Sequence, residues 1–153
     1  MTVTPQTNAT LREIVRAIED RDDFVLCGHV SPDGDCLGSQ LALWHALRAR
    51  GKNAACLLVK DDPTPASVSF LPGIDEMIPA SLYAGSARTF IGLDVPTRER
   101  IGDAACAILD SCSYSITVDH HAAPARMCDF ARTSIYARQS GPSAGTPSPR
   151  QRI

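Results

Sequence analysis

Apolar residues recur at helical spacing at Leu11, Ile14, Val15 and Ile18, and Thr10 followed by Glu13 has the form of a capping box, so residues 10–20 are predicted to form an amphipathic helix. Residues 24–28 make a short apolar run of strand length. After a polar loop the pattern turns helical over residues 39–50, with Leu41, Trp44, His45 and Leu47 directed inward and Gly51 as the C-terminal stop. Residues 54–59 read as a second buried strand, after which Asp61, Asp62, Pro63 and Pro65 break regular structure. Residues 89–93 form a third strand, residues 98–109 contain a helix interrupted near Gly102, and residues 115–118 form a fourth strand. Short apolar strands alternating with helices predict an α/β fold: a parallel sheet with helices on both faces and a ligand site beyond the carboxyl ends of its strands.

From Ala131 the chain becomes rich in Gly, Pro, Ser and Arg, with almost no large apolar residue. The expectation is one domain over residues 10–130 and a low-complexity, disordered tail over residues 131–153. A length of 153 residues, 44% hydrophobic and 21% charged, suits one soluble globular domain. No apolar run approaches the roughly 20 residues of a membrane span, and the first eight residues are polar, which predicts a cytoplasmic protein without a membrane partner. The six cysteines are scattered without a CxxC pair and read as core thiols of a reducing compartment. A net charge of −2 argues against tight binding to long nucleic acid and leaves a small anionic substrate, for which bound metal ions would supply the positive charge.

Three clusters carry the chemistry. His29, Asp33 and Asp35 share one loop after the first strand, with Pro32 and Gly34 shaping the turn. Alone, such a loop reads as a turn and a helix cap. Asp94 follows the third strand directly, with Arg98 and Arg100 nearby, and Asp119-His120-His121 ends the fourth. All three sit at carboxyl ends of predicted parallel strands, where one rim of the sheet would gather them. Imidazole and carboxylate without thiolate favour Mn²⁺ or Mg²⁺, with Co²⁺ as an alternative, over structural zinc.

In this order the clusters resemble the DHH phosphoesterase superfamily. The run Gly28-His29-Val30-Ser31-Pro32-Asp33-Gly34-Asp35-Cys36-Leu37-Gly38-Ser39 looks like its first motif. Asp94 with Arg100-Ile101-Gly102 looks like the second, and Thr117-Val118-Asp119-His120-His121 like the third. Within the superfamily the chain is most similar to the bacterial RecJ-like group that degrades very short RNA, removes the 3′-phosphate of adenosine bisphosphate, or hydrolyses cyclic-dinucleotide products. The resemblance implies two divalent ions, Mn²⁺ first, with His29 and Asp33 holding one, Asp35 and His120 the other, and Asp94 bridging them. It implies that His121 faces the substrate phosphate and that Asp119 orients a histidine. Arg100 either binds phosphate or caps a helix. The implied substrate is a small nucleotide or very short RNA, and a homodimer is left open.

The family's fourth motif, a strand ending in a ligand aspartate, and the substrate domain after it find no match here. Where the strand is expected, around Ser134-Ile135-Tyr136, the next residues are Ala137 and Arg138; Asp129 is the sole late carboxylate. The expectation is therefore a shortened, weakly active phosphoesterase. The alternatives are an inorganic pyrophosphatase-like hydrolase and a non-catalytic gene remnant.

Overall fold

The computed structural model describes residues 9–121 and the strand Ser134–Arg138. Its centre is a six-stranded sheet, all parallel: β1 (Phe24–Cys27), β2 (Ala54–Leu58), β3 (Ile78–Pro79), β4 (Thr89–Leu93), β5 (Tyr114–Asp119) and β6 (Ser134–Arg138), in the order β3-β2-β1-β4-β5-β6. Helix α1 (Leu11–Glu19) precedes the sheet, α2 (Gly34–Ala49) connects β1 to β2, and α3 (Gly102–Ser111) connects β4 to β5.

Alternation along the strands sorts side chains onto two faces. Phe24, Leu26, Ile91 and Ile116 pack with Ile14 of α1 and with Leu41, Trp44 and Leu47 of α2. Val25, Cys27 and Phe90 pack with Ala105 and Leu109 of α3 on the other face. Because both faces are covered, β1 and β4 are buried at every position, as expected of inner strands in a parallel sheet. The chain runs outward from β1 in one direction and from β4 in the other, so the crevice between these two strands is the topological switch point.

Several expectations are corrected. Helix α2 starts at Gly34, not near Ser39, because the Asp33 side chain accepts hydrogen bonds from the backbone N–H groups of Asp35 and Cys36, both at 3.0 Å, and caps the helix there. His45 does not point inward: it is exposed beside Trp44, with Nε2 2.9 Å from the Pro72 carbonyl. The buried stripe of α2 runs instead through Leu37, Gln40, Leu41, Trp44 and Leu47, and the Trp44 indole N–H donates to Ala54 O at 2.9 Å, tying α2 to β2. On α1, Ile14 and Ala17 are buried while Leu11 and Val15 lie open. Ser134–Arg138 pairs with β5, Ala137 beside Val118 and Arg138 beside Asp119, so this part of the expected tail belongs to the sheet. Asp129 and the rest of residues 131–153 lie outside the described residues.

Candidate metal centre and active site

The site is built where β1, β4 and β5 end. Beyond β1, Val30 N donates to Arg100 O at 2.7 Å, which ties the first loop to the turn before α3. Beyond β4, Asp94 N donates to Val118 O at 3.0 Å, and the Asp94 backbone turns into the left-handed region, φ +53°. Aspartate tolerates that conformation better than most residues, and strain of this kind collects at functional sites. The turn directs a 7% exposed carboxylate into the crevice.

Three of the other four expected metal-binding residues gather at that carboxylate. His29 Nε2 lies 3.6 Å from Asp94 Oδ2, and His120 Nε2 lies 3.0 Å from Asp94 Oδ1 and 3.7 Å from Asp35 Oδ2. Asp33, the fifth, spends one oxygen on the cap of α2, and those hydrogen bonds, Cys36 N foremost, hold its carboxyl below the usual range with help from His29 and His121. Two groups of potential ligands share Asp94, one with His29 and Cys36 and the other with His120 and His121. Cys36 was not expected there. As part of α2's first turn it faces inward beneath the loop, a placement visible only once the helix start moves to Gly34.

The electrostatics suit a cation. Burial, followed by the charge of Asp35, pushes the Asp94 carboxyl above its ordinary value. Although His120 and His121 are near, their geometry gives Asp94 Oδ1 no hydrogen bond, and this buried oxygen has no hydrogen-bond partner among the described residues. A buried carboxylate oxygen that accepts no hydrogen bond is costly, and a divalent ion resolves it. The residues present therefore fit the metal group implied by the sequence.

His121 is held differently. Its Nδ1 lies 2.7 Å from Asp119 Oδ1, and its backbone N–H donates to Asp119 Oδ2 at 3.1 Å. Asp119 is buried at the end of β5, so both of its oxygens orient one histidine, and the ring is left with Nε2 free of Asp119. The hydrogen bond to Asp119 raises the His121 pKa above its ordinary 6.5. Its contribution to stability is fully present below that pH and is lost as pH rises through the folded value. In an NMR titration of the metal-free protein, His121 is expected to protonate above pH 6.5, and Asp119→Asn to move that midpoint down. An unmoved midpoint would show that the pair does not operate. Arg100 is exposed; its charge acts on His121, and its carbonyl rather than its side chain holds the loop.

A groove of about 680 Å³ leads away from the crevice. Asp35, Asp94, Asp119 and His120 form its polar end, and Leu11, Val15 and Ile18 of α1 with Leu43 of α2 form an apolar wall.

Residues 23–147 match the model of the DHH family, N-terminal domain. The chain belongs to the DHH family. DHH phosphoesterases are metal-dependent, and this DHH domain gathers two sets of metal-capable side chains. It is similar to the bifunctional oligoribonuclease and PAP phosphatase NrnA of Thermus thermophilus, 31% identical over 109 residues, which are 71% of this chain and 30% of that protein. The protein of the same name from Mycoplasma genitalium is 46% identical over 44 residues, 29% of this chain and 14% of its own length. Among solved structures, an exopolyphosphatase-related protein from Bacteroides fragilis superposes with a TM-score of 0.69 at 27% identity, covering 82% of this chain and 38% of that one. The DHH domain described here thus spans less than a third of the length of these curated relatives.

Proposed function

We propose that this DHH domain takes part in metal-dependent hydrolysis of phosphate esters, with short oligoribonucleotides or nucleotides such as adenosine 3′,5′-bisphosphate as substrates. The observation that carries the reading is the buried Asp94 carboxylate, whose Oδ1 accepts no hydrogen bond, with the His29 and His120 imidazoles beside it. His29, Asp33, Asp35, Asp94 and His120 would hold two divalent ions, Mn²⁺ ahead of Mg²⁺ or Co²⁺. Such ions, when bound, supply Lewis acidity at phosphoryl oxygens and acidify a water.

The chain's own residues do the rest. Asp119 holds the His121 ring by Nδ1 and favours its protonated form, so Nε2 carries a proton toward a phosphoryl oxygen and offsets charge developing there. Arg100 adds positive charge at the same side. The apolar wall of α1 and α2 offers a surface for a nucleoside, while the polar end of the groove fixes the phosphate.

Incubating the purified chain with Mn²⁺ and adenosine 3′,5′-bisphosphate, a diribonucleotide or pyrophosphate tests the proposal. Slow release of phosphate or mononucleotide, abolished by chelation, is the expected outcome. Turnover should be weak because Ala137 and Arg138 stand where the resemblance calls for a ligand aspartate, and a missing ligand lowers metal affinity. Turnover of pyrophosphate alone would favour the pyrophosphatase-like reading. Absence of both turnover and Mn²⁺ binding would leave a non-catalytic domain.

A further inference from the structure

The cysteine beneath the first loop has a chemistry that phosphoester hydrolysis does not use. Cys36 is fully buried, and one ligand atom each of His29, Cys36 and Asp94 lie within 4.8 Å of one another. His29 and Asp94 are themselves 8% and 7% exposed, so this trio lies deeper than the group that includes the exposed His120 and His121.

We propose that His29, Cys36 and Asp94 form a site for a thiophilic divalent cation, Zn²⁺ or Cd²⁺, that shares Asp94 with the hard-ion centre and competes with it. The inference stands whether or not the domain hydrolyses phosphate esters.

The geometry requires little adjustment. Sulfur, nitrogen and oxygen ligands sit about 2.0–2.3 Å from a tetrahedral zinc, which puts donors about 3.5 Å apart, so the trio needs to close by at most roughly an ångström. His29 Nε2 and Asp94 Oδ2 already lie at 3.6 Å. Asp94 Oδ1, buried without a hydrogen bond, is again the sign that the carboxylate is held for a cation. Around the sulfur, the His29 backbone N–H donates to Sγ, which favours thiolate once the proton has left. Gln40, 1% exposed, turns its amide nitrogen to Leu26 O and Leu57 O at 3.3 and 3.2 Å, which leaves its oxygen facing the thiol.

Burial otherwise keeps Cys36 protonated, its pKa pushed up to about 11. On binding, the S–H bond breaks, a sulfur–cation bond forms, and the proton leaves to bulk water; no electron is transferred. Thiolate ligands select soft and borderline ions, whereas carboxylates suit Mg²⁺ and Mn²⁺. The hard-ion centre and this site both draw on His29 as well as Asp94, and one imidazole nitrogen cannot serve two ions at once, so one ion excludes the other.

Titrating the full metal-free chain with Cd²⁺ and following the ultraviolet thiolate-to-cadmium charge-transfer band tests this. The expected result is one strong equivalent in the wild type, displaced by excess Mn²⁺, and no strong band in Cys36→Ala or in the near-isosteric Cys36→Ser. His29→Gln should keep the band but weaken Cd²⁺ binding by at least about tenfold. Circular dichroism identifies the folded variants, and either cysteine variant suffices. Absence of a band in the wild type or persistence in both cysteine variants would overturn the proposal and leave Cys36 as a packed core thiol; a Cys36-dependent band indifferent to Mn²⁺, in a chain that binds Mn²⁺, would overturn the competition.

Discussion

Asp94→Asn is expected to abolish high-affinity Mn²⁺ binding while raising the thermal stability of the metal-free protein. Asparagine has the same shape and accepts the left-handed backbone, φ +53°, so the substitution removes charge without adding strain. The loss follows from position: the Asp94 carboxylate belongs to both groups of potential ligands, and among the described residues no other side chain does. Losing a mere supporting partner costs up to about a hundredfold in metal affinity, and removing a shared ligand should cost more. Wild-type protein at Mn²⁺ about a hundred times above Kd should gain roughly 5–10 °C in Tm, and the variant should gain none.

The stabilising half of the prediction comes from the sign of the pKa shift. Burial raises the folded Asp94 carboxyl above its ordinary 3.8, so its favourable contribution is complete below that pH and is lost as pH rises through the folded value. Near neutrality without metal the ionised group therefore opposes folding, and asparagine relieves it. A variant that keeps the Mn²⁺-induced rise in Tm, or that melts below wild type without metal, would refute the role given to Asp94.

Gly28→Ala should be the most damaging single-methyl change. A Cβ at Gly28 would stand 2.1 Å from Cys36 Sγ, 2.7 Å from the nearer atom of the Gln40 amide and 3.3 Å from Leu93 O. The glycine is required by close approach, since α2 begins almost against the end of β1. Overpacking of this kind costs about 1–3 kcal/mol, or roughly 2–12 °C in Tm for a chain of this size. The shift that relieves the clash would carry Asp35 and Asp94 with it, so metal affinity should fall together with stability. Combining Gly28→Ala with Cys36→Ala should restore much of the loss, because the two changes share one contact. Differential scanning calorimetry reads both, and an unchanged Tm in the single variant would contradict this packing.

Much of this was legible in the sequence because parallel strands are continuous apolar runs and their carboxyl ends are punctuated by the very residues that carry chemistry. His29, Asp94 and Asp119 each follow such a run directly, and the structure brings them to one rim. The start of α2 was not legible, because Asp33-Gly34-Asp35 has the composition of a turn and the helix is established there by a side-chain cap. Cys36 was missed for the same reason, since its direction depends on that start. His45 was misplaced because the stripe that α2 buries includes Gln40, a polar residue that an apolar pattern passes over. β3 has two residues, one of them Pro79, and leaves no alternation to read.

The way the ligands are distributed along the chain imposes an order on how the centre matures. His29, Cys36 and Asp94 are all present once β1, α2 and β4 have paired, whereas His120 and His121 arrive only after α3 and β5 have added the next strand. A chain that pairs β1 with β4 before β5 is in place would thus hold these donors before His120 and His121 join them. Whichever ion is abundant at that moment meets a half-built centre that already holds the sulfur but not yet His120 or His121.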